Sequence, residues 1–303
     1  MNQEQLQKIT NAKGFIAALD QSGGSTPKAL AAYGVAESEY DGEDAMYAKV
    51  HEMRTRIIKS PAFTGDKILG AILFEKTMDN TIDDKPTSQY LWEELNVVPF
   101  LKIDKGLADE QNHVQLMKDM PDLDALLERA VKHGVFGTKM RSVINGANAQ
   151  GIADVIAQQF EVGKQILGHG LVPIIEPEVS IGNTDKAECE AIMKTEILKQ
   201  LDALNDDQKI MLKLTLPEEG NFYDELSNHK NVILVVALSG GYDLTEACTR
   251  LSQNDAMVAS FSRALSNDLR ASQGDDEFNQ TLQTAIDKIF EASVAGSTQS
   301  AAA

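Results

Sequence analysis

Short apolar runs recur along the chain and are separated by segments whose apolar residues repeat at helical spacing. Near-continuous runs of this kind are typical of strands that are covered on both faces, as in a parallel sheet. The pattern therefore predicts alternating strands and helices. Eight strand segments are predicted: Gly14–Asp20, Lys67–Glu75, Val97–Asp104, Val135–Arg141, Leu171–Val179, Lys209–Leu216, Asn231–Gly240 and Ala256–Leu265.

The segments between these runs carry helix signals. Leu123, Leu126 and Leu127 lie on one apolar stripe, and the segment that contains them ends in His-Gly. Asp243 and Glu246 have the spacing of a capping box, with Asp in place of Ser or Thr. Four helices are predicted from such signals: Pro121–Gly134, Asn148–Gly170, Lys186–Asn205 and Tyr242–Asn254.

Eight strands alternating with helices over 303 residues predict a single-domain (β/α)8 TIM barrel that spans residues 1–303. The last segment, Ser293–Ala303, is small and polar and is predicted to be a flexible tail. A doubly wound open sheet is the alternative. It would carry a glycine-rich dinucleotide fingerprint after the first strand, and the sequence there, DQSGGS, lacks the GxGxxG spacing.

Net charge and composition limit the kinds of partner and the location that the protein can have. The net charge of −18 opposes binding to nucleic acid or to an anionic membrane. Apolar runs such as Val232–Leu238 are too short to span a bilayer, and the polar N-terminus lacks the core of a signal peptide. The two cysteines, Cys189 and Cys248, favour a reducing, cytoplasmic location. The five histidines lack metal-ligand spacing, so no metal is expected.

Charged residues occur at the ends of most predicted strands. In a (β/α)8 barrel the active site lies at the carboxyl ends of the strands. A single such charge is usually explained by solvation of a strand end, and an internal polar network with a purely structural role is an alternative for the whole set. Because residues two apart on a strand share a face, three pairs are each expected to project into the barrel mouth: Lys102 with Asp104, Lys139 with Arg141, and Glu176 with Glu178.

Lys213 lies at the centre of the sixth predicted strand. Burial of an unpaired ammonium costs several kcal/mol unless the group is paired or gives up its proton. Lys213 therefore has a partner, or it is a neutral nucleophile that can form an imine with a ketone and accept the electrons of a breaking C–C bond. Lys209 is the competing nucleophile, but Lys213 lies nearer the carboxyl end. Asp20, Glu176 and Glu178 could supply the acid and the base.

Two glycine-containing segments are candidate phosphate sites. Ser239, Gly240 and Gly241 precede a predicted helix, whose free backbone N–H groups favour an anion. Arg263, at the end of the eighth predicted strand, could bind the same phosphate. The segment DQSGGS after the first strand, together with Lys102, offers a second anion site on the opposite rim. Two phosphate sites on either side of an imine-forming lysine fit a sugar bisphosphate that lies across the mouth.

These residues resemble those of class I fructose-1,6-bisphosphate aldolases, and most closely the shorter bacterial form. The resemblance runs from about Gly14 to Leu265 and rests on eight motifs in order: ALDQSGGS, ILF, LKIDKG, TKMRSVI, PIIEPEV, LKLTLP, ALSGG and FSRAL. It implies reversible, metal-independent and cofactor-free cleavage of fructose 1,6-bisphosphate to dihydroxyacetone phosphate and glyceraldehyde 3-phosphate, in glycolysis and gluconeogenesis.

The resemblance also implies roles for individual residues. It makes Lys213 the Schiff-base lysine and Asp20 the group that moves the proton of the C4 hydroxyl. It makes Glu176 the acid and base of imine formation, with Lys139 assisting dehydration and Glu178 supporting Lys213. The implied substrate contacts are Arg141, then Ser239, Gly240 and Arg263 at one phosphate, and Ser22, Ser25 and Lys102 at the other.

Gln21 departs from the animal members of the family, which carry an acidic residue at this position. Two other functions stay open. One is a Schiff-base aldolase acting on a different ketose bisphosphate, such as tagatose 1,6-bisphosphate. The other is a phosphate-binding barrel without covalent chemistry. Because family members are commonly oligomeric, a homo-oligomer is a further expectation that the resemblance raises.

Overall fold

A computed structural model describes residues 2–299 of the chain. Its main sheet contains eight parallel strands in the order of the sequence, each hydrogen-bonded to the next. They are β1 (Phe15–Leu19), β2 (Ile68–Leu73), β3 (Val98–Lys102), β4 (Gly137–Ile144), β5 (Val172–Val179), β6 (Ile210–Thr215), β7 (Val232–Leu238) and β8 (Met257–Ala259). The eight predicted strands are confirmed, although most are shorter than predicted.

The sheet curves until its first and last strands approach each other. The Ala18 N–H in β1 donates a hydrogen bond to the carbonyl of Phe261, just beyond β8, over 3.3 Å. The eight strands therefore form a nearly closed barrel with helices around it. This confirms the predicted (β/α)8 architecture and excludes the open doubly wound sheet.

Helices connect the strands and cover the outside of the barrel. They are α1 (Gln3–Asn11), α2 (Thr26–Tyr33), α3 (Gly42–Ile58), α4 (Glu75–Met78), α5 (Thr87–Leu95), α6 (Leu123–Lys132), α7 (Ala149–Gly168), α8 (Lys186–Asp202), α9 (Asp224–Ser227), α10 (Leu244–Leu251), α11 (Arg263–Ser266) and α12 (Asp275–Gln299). Short strands add a hairpin of Thr81–Ile82 with Lys85–Pro86, and Val114–Gln115 pairs antiparallel to β4. None of the helices between residues 2 and 299 has both the length and the apolar character needed to cross a membrane.

The four predicted helices are present as α6, α7, α8 and α10, with shorter ends. The apolar stripe of α6 is buried as its spacing predicts. Asp243 caps α10, because its side chain accepts a hydrogen bond from the Glu246 N–H at 2.9 Å. The Glu246 carboxylate accepts from Arg250 instead of returning to the cap, so half of the predicted capping box forms.

The tail that is predicted from Ser293 onward begins inside α12. Ser293 is buried, and its hydroxyl accepts a hydrogen bond from the Ala259 N–H of β8 at 3.0 Å. The helix continues to Gln299, so the first part of the predicted tail is helical and Ser293 packs on the barrel. Residues 300–303 of that tail lie outside the described residues.

Apolar side chains fill the barrel below its mouth. Phe100 of β3 is fully buried and packs edge-on against Phe136, with 5.6 Å between ring centroids. Gly70 and Gly137 make room for this ring, since a Cβ on them would lie 2.8 and 3.1 Å from it. Ile9 of α1 belongs to the same cluster and packs at the amino-terminal end. The carboxyl-terminal ends of the strands are left as the mouth.

Candidate active site

A cavity of about 860 Å³ opens at the carboxyl ends of the strands. This volume lies within the range of small-molecule sites. The cavity brings together twelve of the thirteen predicted site residues, and the thirteenth, Gly241, directly follows Gly240. Its lining includes Asp20, Ser22, Ser25, Lys102, Lys139, Arg141, Glu176, Glu178, Lys213, Ser239, Gly240 and Arg263.

Four buried charges form the floor of this mouth. Lys139 Nζ lies 3.0 Å from Asp20 Oδ2 and 2.6 Å from Glu176 Oε2. Lys213 Nζ lies 3.1 Å from Glu176 Oε1. None of the four residues is more than 7% exposed. Two ammonium groups and two carboxylates balance one another, which offsets the cost of burying each charge. Lys213 therefore has the partner that its buried position requires.

Strand pairing places these groups side by side. β4 and β5 are parallel, with Arg141 opposite Glu176 and Val143 opposite Glu178. Lys139 and Arg141 are two apart on β4, as Glu176 and Glu178 are on β5, so each pair faces the mouth. The prediction that these pairs project into the mouth is confirmed, and the third pair, Lys102 and Asp104, also lines the cavity.

Electrostatics keep Asp20 and Lys139 charged. Burial by itself raises the pKa of Asp20, but Lys139, Lys213 and Lys102 outweigh it and hold the pKa of this carboxyl well below its usual range. Burial by itself lowers the pKa of Lys139, and the carboxylates of Asp20 and Glu176 outweigh it and raise the pKa. At neutral pH the pair is an anion and a cation.

Arg141 and Glu178 form a second ion pair at the rim, with 2.6 Å between Nη1 and Oε2. Burial lowers the pKa of Arg141, and Glu178 is the first of the carboxylates that reverse this and raise it. Glu178 thus contacts Arg141, whereas the carboxylate that pairs with Lys213 is Glu176. The support of Lys213 that the resemblance assigned to Glu178 comes in this structure from Glu176.

The turn after β7 forms one candidate anion site. Gly240 and Gly241 have φ angles of +61° and +125°, which glycine adopts without strain. A Cβ on Gly240 would also lie 2.7 Å from Ile181. Arg263 Nη2 lies 3.6 Å from the position of a Cβ on Gly241, so the guanidinium and the turn border one space. Ser239 and Arg263, which are distant in sequence, both line the cavity as predicted.

Two residues that were predicted in the last part of a strand begin helices instead. β8 ends at Ala259, and Arg263 is the first residue of α11 rather than the end of a strand. The misleading signal is the apolar pair Ala264 and Leu265, which is buried by helix packing. β2 ends at Leu73, and Glu75 begins α4, where its carboxylate pairs with lysine and arginine side chains.

The second predicted anion site draws on segments that follow two different strands, and its members line the same cavity. Ser25 Oγ accepts from the Ser22 N–H at 3.0 Å and donates to the Ser22 carbonyl at 2.8 Å, which holds a tight turn after β1. Lys102 Nζ lies 2.9 Å from Asp104 Oδ1. In strand order β3 lies opposite β7, whereas β1 is separated from β7 by β8 alone. Lys102 is therefore on the opposite rim, and the serine turn follows β1, which is two strands from β3 and two from β7. That the turn and Lys102 bind one phosphate stays a prediction.

Lys209 lies outside the mouth. It precedes β6 at the amino-terminal end, and its ammonium donates to the Lys230 carbonyl at 2.7 Å. Lys213 is thus the one of the two lysines that can reach a ligand in the cavity. No group of three or more His, Cys, Asp and Glu side chains in residues 2–299 is arranged to hold a metal ion. Metal independence itself stays a prediction.

Residues 2–222 match the sequence model of the family described as fructose-bisphosphate aldolase class-I. The chain belongs to this family. The matched segment contains β1 to β6 and with them Asp20, Lys139, Glu176 and Lys213. Arg263 and the turn after β7 lie beyond it, so the family match by itself does not cover the candidate anion site there.

Solved structures extend the likeness to the whole barrel of this aldolase family member. Fructose-bisphosphate aldolase from Plasmodium falciparum, solved in complex with TRAP and a small-molecule inhibitor, superposes with a TM-score of 0.74 at 19% identity, over 96% of this chain and 93% of that one. A structural-genomics target from Corynebacterium glutamicum gives a TM-score of 0.57 at 15% identity, over 96% and 92%. At these identities the comparisons show a shared fold.

Sequence reasoning missed three lysines of the aldolase mouth: Lys28, Lys105 and Lys118. Lys28 could have been found, because it lies three residues after Ser25 and so on the same face at the start of α2. Lys118 lies in the loop after β3. The Lys118 N–H donates a hydrogen bond to the Gly106 carbonyl, and this contact brings the loop back to the mouth. Eight basic and four acidic residues line the cavity of a chain whose net charge is −18. The mouth therefore suits an anionic ligand.

Proposed function

We propose that this aldolase family member cleaves fructose 1,6-bisphosphate reversibly to dihydroxyacetone phosphate and glyceraldehyde 3-phosphate through a Schiff base on Lys213. One observation carries the proposal. Lys213 is buried at the floor of a positively charged mouth and is joined through Glu176 to Lys139 and Asp20. A lysine held in this way, with proton acceptors beside it, has the surroundings that imine chemistry needs.

In the first step the Lys213 ammonium gives a proton to Glu176, and the resulting neutral amine attacks the C2 carbonyl of the open-chain sugar. Glu176 Oε1, 3.1 Å from Lys213 Nζ, is placed to accept this proton and to return a proton to the departing hydroxyl. Water leaves, and a protonated imine remains. Lys139, 2.6 Å from the other oxygen of Glu176, stabilises that carboxylate and assists the dehydration.

Cleavage of the bond between C3 and C4 then needs a base for the C4 hydroxyl. The low pKa of Asp20 keeps it ionised and able to accept a hydrogen bond from that hydroxyl. As the bond breaks, its electron pair moves into the imine and the C4 hydroxyl proton moves to Asp20, which releases the aldehyde. The enamine takes a proton at C3, and hydrolysis returns the Lys213 amine and releases dihydroxyacetone phosphate.

The ends of the substrate are assigned to the two sides of the mouth. The turn of Ser239, Gly240 and Gly241 with Arg263 would bind one phosphate, because backbone N–H groups and a guanidinium there border one space. Lys102 lies on the opposite rim of the same cavity and would supply a cation for the second phosphate. Arg141 and the serine turn after β1 complete the predicted contacts with the sugar and the second phosphate.

The test is a cleavage assay in which a dehydrogenase reduces the triose phosphates and NADH absorbance is followed. We expect turnover of fructose 1,6-bisphosphate that is unchanged by EDTA, because the catalytic groups are side chains of the chain itself. Activity lost with EDTA and restored by zinc would contradict the proposal. The ratio of kcat/KM for fructose and tagatose bisphosphates decides which ketose is preferred.

Other expectations remain predictions. A cofactor-free reaction, a role in glycolysis and assembly into a homo-oligomer follow from the family resemblance, and a cytoplasmic location follows from the two cysteines of the sequence. Sedimentation velocity of the purified chain would establish its oligomeric state.

A further inference from the structure

Arg54 of α3 carries a charge that is buried away from solvent. The residue is 1% exposed and is the largest fully buried side chain in the described part of the barrel. Its guanidinium donates to neutral oxygens: Nη1 to Thr77 Oγ1 at 2.6 Å, and Nη2 to the Gln21 carbonyl at 2.5 Å and to Gln21 Oε1 at 3.3 Å. Its Nε has no hydrogen-bond partner among the described residues. A buried cation held in this way is costly, so its position calls for an explanation.

The negative charge of the Asp20 carboxylate acts on Arg54. Burial lowers the pKa of Arg54 to about 10, and the negative charge of Asp20 works against this shift. Arg54 is therefore still protonated at neutral pH. The two groups are linked through the backbone, because the residue that Arg54 binds, Gln21, directly follows Asp20.

Gln21 connects Arg54 to the segment after β8, across the seam where β1 approaches the end of β8. Its carbonyl and its side-chain oxygen accept from Arg54, and its Nε2 donates to Ser262 Oγ at 2.7 Å. Ser262 directly precedes Arg263, the arginine of the candidate phosphate site. Through Thr77 the same guanidinium also reaches the start of α4, just beyond β2. One side chain thus ties together the ends of β1 and β2 and, through Gln21, the segment after β8.

We propose that Arg54 is a positioning residue for the C–C cleavage step: through Gln21 it fixes the Asp20 carboxylate where it meets the C4 hydroxyl. The inference rests on the proposed function. The groups that form the imine, Lys213 with Glu176 and Lys139, lie on β4 to β6, and among them Lys139 alone pairs with Asp20. Loss of Arg54 should therefore slow cleavage and leave imine formation intact, a split that a general loss of folding would not produce.

The experiment compares two half-reactions in the same proteins. Imine formation is measured as the fraction trapped by borohydride at saturating dihydroxyacetone phosphate, and cleavage as kcat for fructose 1,6-bisphosphate. Arg54→Met should lower kcat at least tenfold while the trapped fraction stays within twofold of the wild type. Arg54→Lys keeps the positive charge on a single donor nitrogen and should recover part of kcat.

Arg56→Met is the matched control. Arg56 is two residues along the same helix, and its guanidinium donates to groups that do not line the cavity: Tyr33, Arg270, Ala271, Gln273 and Asp275. Both half-reactions should stay within twofold of the wild type in this variant. Gln21→Leu retains Arg54, so its result does not depend on whether the protein still folds without the buried arginine. It removes only the side-chain link and should lower kcat several-fold with trapping unchanged.

The inference is overturned if Arg54→Lys and Gln21→Leu both keep kcat within twofold, or if trapping falls in proportion to cleavage in the Arg54 variants. Failure of the proposed function gives a different result. In that case the wild-type protein itself neither traps dihydroxyacetone phosphate nor cleaves the bisphosphate, and the inference falls with the function.

Discussion

Replacement of Lys139 by methionine tests the four-charge cluster on the floor of the mouth. Methionine keeps much of the volume of the lysine stem and removes the ammonium. Asp20 and Glu176 then lose their shared cation, and Lys213 is the one ammonium left within the cluster. The variant leaves a net negative charge in a site whose members are at most 7% exposed.

The magnitude follows from the two contacts that are lost. At 3.0 Å and 2.6 Å, and with an effective dielectric constant of about 20, each attraction is worth about 6 kcal/mol before desolvation is subtracted. In wild type this attraction is offset by the cost of burying the ions. Removal of one partner from such a pair typically costs about 3–5 kcal/mol of unfolding free energy, because a buried charge is left uncompensated. We expect Lys139→Met to lie in this range at pH 7.

The effect should depend on pH in a defined direction. In wild type the pKa of Asp20 is depressed, so its contribution to stability is present above the unfolded pKa of about 4 and is lost as the pH falls toward the folded value. The variant lacks most of that contribution and can relieve its uncompensated charge by binding a proton. The difference in unfolding free energy between the two proteins should therefore shrink as the pH falls below about 4.

Urea denaturation of both proteins at about pH 7 and pH 3.5 measures the difference. Lys199→Met is the matched control, because Lys199 is 62% exposed and paired with Glu196 on the surface of α8. Its loss should cost no more than about 0.5 kcal/mol. A cost below about 1 kcal/mol for Lys139→Met at neutral pH, or one that is independent of pH, would refute the electrostatic reasoning.

Three further predictions concern the reaction and its anion site. Lys213→Arg should abolish cleavage in the coupled assay while circular dichroism shows a folded barrel, because a guanidinium cannot form the imine; residual turnover above a few per cent would argue against Lys213. Arg263→Ala should chiefly raise KM, with a loss of about 1.5–3 kcal/mol in kcat/KM, and an unchanged KM would remove Arg263 from the phosphate site. Gly240→Ala should destabilise the protein by at least about 1–2 kcal/mol in chemical denaturation, because alanine is strained at a φ of +61° and its Cβ would meet Ile181; unchanged stability would show that the turn adapts.

Local sequence patterns were enough to predict the barrel and most of its mouth. Apolar runs locate the eight strands, since each strand is covered by the barrel interior on one face and by helices on the other. Alternation along a strand places Lys139 with Arg141 and Glu176 with Glu178, because this depends only on neighbours in sequence. The position of Lys213 in an apolar run predicts a buried amine that needs a partner.

Contacts between distant segments could not be predicted in the same way. The partner of Lys213 depends on how β6 lies beside β5, and spacing along one strand does not determine this. The contact of Gln21 with Ser262 joins residues 241 positions apart. Arg263 was assigned to a strand because Ala264 and Leu265 are apolar whether they are buried by a sheet or by a helix. The lysine at position 118 reaches the mouth through a loop, which has no periodic pattern.

Borohydride trapping tests the central claim most directly. The protein would be incubated with dihydroxyacetone phosphate, reduced with sodium borohydride, digested and examined by mass spectrometry. We predict a covalent adduct on Lys213, absent from Lys213→Arg and from a sample reduced without ligand. An adduct at another lysine, or none in a protein that still binds the ligand, would contradict the Schiff-base mechanism and leave a phosphate-binding barrel with different chemistry.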